Sequence, residues 1–140
     1  KMTTRLHDWQ VRLEAAMLAG ARARFRWGHH DCVHFAARCV EAVTGERPLD
    51  QLPAWSNREE ARQVIESLGD LRAAVGLAMG EEIGPTFARP GDIGLASTAA
   101  EAWPQCLAVH GGACWLAPAP FGLVPVPDSE IITAWRVDHA

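Results

Sequence analysis

The chain has 140 residues, 49% of them hydrophobic and 21% charged, which suits a single domain that can bury a core without disulfide or metal staples. A formal net charge of −4 argues against a nucleic-acid surface, and no apolar run approaches the roughly 20 residues of a membrane span. The start, Lys1-Met2-Thr3-Thr4, is polar and lacks the apolar segment of a secretory signal.

Leu6, Trp9, Leu13, Ala16, Met17 and Gly20 recur at three- and four-residue steps and predict a first helix over about residues 5–22. Arg22, Arg24 and Arg26 then form a local basic cluster, read as a solvated helix end rather than a phosphate site. Asp31 is a good N-cap for a second helix that closes at Thr44-Gly45. The stretch 48–53 reads as irregular. Ser56-x-x-Glu59 has the form of a capping box and opens a third helix running to Leu68-Gly69. Asp70 caps a short fourth helix, Leu71 to Met79.

After Gly80 the helical period gives way to short apolar runs separated by Gly and Pro. They are Asp92–Ser97, Gln105–His110, Ala113–Ala117, Leu123–Val126 and Ile131–Val137. Gly111-Gly112 reads as a two-residue hairpin turn. Helices first and strands after predict one α+β domain over residues 1–140, with helices layered on an antiparallel sheet.

Cys32, Cys39, Cys106 and Cys114 form no C-x-x-C pair, so zinc built from them with His110 lacks knuckle spacing, and most read as packing residues. Among six tryptophans, Trp9, Trp27, Trp115 and Trp135 fall on apolar periods and are expected in the core. Trp55 and Trp103, in proline-flanked loop sequence, are the candidates for facing a ligand or partner.

Chemistry concentrates at Trp27-Gly28-His29-His30-Asp31-Cys32. A thiol at the first turn of a helix meets free N–H groups and the positive end of the dipole, which favour a thiolate. That is the setting of a cysteine nucleophile; a buried packing cysteine behind an Asp31 cap is the alternative reading.

Three landmarks stand in order: Trp27-Gly28-x-x-Asp31-Cys32 at a helix start, Arg89-Pro90-Gly91-Asp92 opening a strand, and a hairpin at Gly111-Gly112. Together they resemble the NlpC/P60 superfamily of papain-like cysteine hydrolases. The tail, Gly122 to Pro127 followed by Ala134-Trp135-Arg136-Val137, is similar to a small branch of that superfamily encoded among phage and prophage tail-tip genes. The resemblance implies a papain-like fold with Cys32 as nucleophile, Asp31 as the acidic residue before it, and Trp27 lining the site. It also implies a general-base histidine at the start of the strand after Gly91-Asp92, where this chain has Gln105. A third polar residue is expected where Leu116 stands.

Glutamine cannot accept a proton from a thiol near neutral pH. His110 lies five residues farther along that strand, about 16 Å away and on the other face. His29 and His30 would reach Cys32 only if the turn bends back over the helix start, and His34 faces elsewhere. Two expectations follow. One is a tail-tip cysteine hydrolase acting on peptide or amide bonds, for instance in peptidoglycan stem peptides, with Cys32 as nucleophile and His30 or His110 as base. The other is a catalytically silent assembly component bound to tail-tip or hub proteins. Either implies no cofactor and a place in the virion tail after assembly in the host cytoplasm.

Overall fold

The computed structural model describes residues 3–99 and 103–139. Four helices come first: α1 (Trp9–Ala21), α2 (Cys32–Thr44), α3 (Arg58–Ser67) and α4 (Leu71–Met79). The first helix starts later than its periodicity suggests because the preceding backbone is used elsewhere. The Leu6 N–H donates to the Val43 carbonyl at 2.8 Å, and Thr3 exchanges hydrogen bonds with His139. Helix α2 follows its caps. Asp31 is extended and its side chain accepts from the His34 N–H, while Gly45 closes the helix at φ +80° with its N–H on the Glu41 carbonyl. The N-cap of α3 is Asn57, one residue after the expected Ser56. Glu60, rather than Glu59, reaches back to accept from the Ser56 N–H at 3.0 Å.

Six strands follow: β1 (Glu82–Ile83), β2 (Ile93–Ser97), β3 (Gln105–His110), β4 (Trp115–Pro118), β5 (Leu123–Val126) and β6 (Ile131–Trp135). They form one antiparallel sheet in the order β1-β6-β2-β3-β4-β5. The fold is therefore α+β, with helices preceding the sheet. Strand β1, too short to carry a period, was not expected. The β3–β4 turn spans Gly111 to Cys114 rather than two residues, closed by Gly111 N–H to the Cys114 carbonyl at 2.8 Å. The last strand ends at Trp135 because the Val137 N–H turns inward to Asp92 Oδ1 at 3.1 Å. Among the described residues no helix is long and apolar enough to cross a membrane.

Helix α2 is apolar except for one half-exposed stripe, His34, Arg38 and Glu41, and buries the rest of its circumference. Its Phe35, Val40 and Val43 cluster with Ile93, Leu95, Leu107, Val109 and Trp135 from the sheet. The other sheet face is buried too, by a second cluster built mainly from small residues around Trp115. Ala134, Gly94 and Ala108 sit side by side across β6, β2 and β3. A Cβ on Gly94 would lie 2.6 Å from Trp115 Cζ3, so the ring rests on bare backbone. The small row lets the sheet close over one large side chain.

At the opposite end Asp92, fully buried, accepts from the Arg89 and Val137 N–H groups and from Arg5 Nη2, tying both chain ends to β2. Strand β4 pairs with β3 only at Val109 and His110. The first half of β3 is left without a strand on that side, and the start of α2 packs there.

Candidate active site at the start of the second helix

Asp31 holds the site together. Its Oδ1 accepts from the His34 N–H at 2.9 Å and lies 2.7 Å from His34 Nδ1; its Oδ2 accepts from the Gly28 N–H at 2.9 Å and Trp55 Nε1 at 2.8 Å. An ionised carboxylate only accepts, so His34 Nδ1 carries the hydrogen. Burial pushes the Asp31 carboxyl up, but the four donors outweigh it and hold the group below its ordinary range. Every lone pair that could serve chemistry is engaged, so Asp31 is the cap and staple of the turn. Gly28 is required there: its φ is +83°, and a Cβ would meet the Trp55 carbonyl at 2.3 Å.

Cys32 is the first residue of α2, as expected, but its environment favours the thiol over the thiolate. It is 9% exposed. Burial, then the neighbouring Cys106, push its pKa far above the ordinary thiol range; the N–H groups of Leu107 and Val33 pull only partly the other way. Desolvation thus outweighs the helix-start amides. All four cysteines are free, and Cys39, deeper in α2, is pushed up to about 12 by burial. Among the described residues no group of three or more His, Cys, Asp or Glu side chains is placed to hold a metal ion.

Among the described residues no hydrogen bond joins Cys32 to a histidine. His30 turns toward Arg38, whose Nη2 lies 2.6 Å from its Nδ1, and packs edge-on against Phe35. Its Nε2 is buried without a partner. His110 stands at the far end of β3, with Nδ1 accepting from the Gly112 N–H at 3.1 Å and its ring against Trp115. His34 is folded back onto Asp31. Gln105 lines an adjoining cavity of about 300 Å³ between β3 and the α3–α4 corner, beside Arg62, Ile65 and Leu71. Leu116, at the third position, is apolar and lies opposite Val109.

Burial lowers the pKa of both His30 and His110, with Arg38 adding to the effect at His30. Groups held neutral in the folded chain take up protons more readily when it unfolds. Their contribution is complete above the ordinary histidine pKa of about 6.5 and is lost as pH falls below it. The thermal midpoint should therefore drop between pH 7.5 and 5.5, and drop less in His30→Gln. Equal pH slopes for wild type and variant would show that His30 is not the titrating group.

The residues around the thiol were only partly legible. Cys32 shares a cavity of about 360 Å³ with Phe25, Trp27, Arg58, Trp103 and Cys106. Trp103 does face this cleft, in an edge-to-face stack with Trp27 at 4.7 Å between ring centroids. Trp55 does not: it is 6% exposed, with its indole on Asp31. Trp9 and Trp27, both expected in the core, are only half-buried; Trp9 takes the Arg5 guanidinium on its ring face. Cys106 and Arg58 were missed. The signal for Cys106 was its place next to the position aligned with a catalytic histidine; Arg58 had none.

No curated protein matches the chain. Residues 4–137 match the family described as a domain of unknown function (DUF6950), and the chain belongs to that family.

Proposed function

We propose that this protein is a non-hydrolytic NlpC/P60-like module that serves as a structural or assembly component of a phage or prophage tail. The observation that carries the reading is the state of Cys32. The thiol is buried, its pKa is driven up, and Cys106 rather than a histidine stands in its cleft. Acyl transfer by a thiol needs a thiolate or an adjacent base to make one, and this site supplies neither. The hydrolytic reading would need His30 or His110 to serve Cys32, yet His30 is committed to Arg38 and His110 to the β3–β4 turn. The tail-tip setting, with tail-tip or hub proteins as partners, rests on the sequence resemblance.

The test is chemical. Alkylation of Cys32 by iodoacetamide, followed by peptide mapping across pH, should run at least tenfold slower at pH 7 than alkylation of free cysteine. Muropeptides incubated with the wild-type protein should be recovered intact. A half-point for alkylation below pH 8, or peptide release that Cys32→Ala abolishes, would return the protein to the hydrolases.

A further inference from the structure

The cleft beside Cys32 is built for occupancy even though its thiol is not built for attack. Three rings form its wall: Phe25 and Trp27 meet edge to face at 4.9 Å, and Trp27 and Trp103 at 4.7 Å. Ala117 and Pro118 complete an apolar lining. One charged group breaks it. Arg58 lines the cleft and finds no hydrogen-bond or ion-pair partner among the described residues, whereas its acidic neighbours are committed, Glu59 to Arg62 and Glu60 to Ser56 and Asn57. Arg58 is also the first residue of α3, where a cation works against the helix dipole. An unpaired guanidinium kept at an unfavourable position beside aromatic walls matches a ligand that carries an apolar group next to a carboxylate.

Shape favours a chain over a compact molecule. Trp103 lines both this cleft and the adjoining cavity that holds Gln105, so an occupant that fills both passes one indole. We infer that these two neighbouring cavities dock an extended segment of a partner protein, seating an aromatic side chain against Trp27 and Trp103 and a neighbouring acidic side chain on Arg58. The inference deepens the non-hydrolytic reading and rests on it: the position ancestral to cleavage becomes a docking position.

The probe is the blocked peptide acetyl-Gly-Phe-Glu-Gly-amide, titrated into the full chain while the six tryptophan indole N–H signals are followed by NMR. The signals of Trp27 and Trp103, assigned with Trp27→Phe and Trp103→Phe, should move saturably. The Gln counterpart of the peptide, and the Arg58→Gln variant with the original peptide, should each bind at least tenfold more weakly. Arg58 is exposed, so that variant keeps the fold. Equal binding of the Glu and Gln peptides, or no movement at millimolar peptide, would overturn the inference. Free N-acetyl-phenylalanine binding as tightly as the peptide would overturn it in favour of a small carboxylate. Failure to bind leaves the non-hydrolytic reading intact. Appearance of a new free amine from the probe, which requires binding first, would instead overturn that reading and with it the docking role.

Discussion

Asp31→Ala is expected to lower folding stability by about 3–5 kcal/mol, measured by urea unfolding followed by circular dichroism. The carboxylate is 1% exposed and accepts from two backbone N–H groups, an indole and an imidazole. Loss of the cap alone is worth about 1 kcal/mol. The larger part comes from the buried Trp55 indole and the half-buried Gly28 N–H, each left without an acceptor at about 1–3 kcal/mol. Trp55→Phe removes one donor and should cost less than half as much. An Asp31→Ala loss under 1 kcal/mol would mean that the turn, the helix start and Trp55 are not fastened through this one side chain. The same comparison separates structure from chemistry, because Cys32→Ala, one residue away, removes no acceptor of comparable importance.

The second large effect is expected on the far side of the sheet. Trp115→Ala should lose about 3–5 kcal/mol, the range for deleting a buried large aromatic side chain. The ring is 3% exposed and its edge lies on Gly94, flanked by Ala108 and Ala134. Gly94→Val approaches the same contact from below and should lose about 1–3 kcal/mol by overpacking, since nothing there can yield except the indole. Contacting residues do not act independently, so the double variant should fall short of the sum by at least about 0.5 kcal/mol. Strict additivity would show that the indole does not rest on the Gly94 backbone.

Both effects bear on the cleft. Asp31 sets where α2 begins and hence where Cys32 meets β3. Trp115 sits opposite His110 in the short β3–β4 ladder, whose early end leaves the first half of β3 open to the helix. A loosened ladder would shift the floor under Cys106 and Ala117, and peptide docking would report it.

Local signals carried the helices and most strands. Asp31, Asp70, Gly45 and Gly80 terminate their helices where their side-chain and backbone preferences predict, because capping involves residues three or four apart. The switch from helical period to short apolar runs sufficed for an α+β order, and Cys32 at a helix start could be read directly. What a long-range contact decides could not be. Whether the helix-start dipole or burial governs Cys32 depends on the sheet packed against it. Trp55 looked like a loop aromatic until Asp31, 24 residues away, claimed its indole. How much of β3 is left to the start of α2 depends on where β4 parts from β3, a matter of pairing rather than of period. Hydrogen-bond reach along the chain is written in neighbouring residues; desolvation, and the company a thiol keeps, come into being only when distant segments close over it.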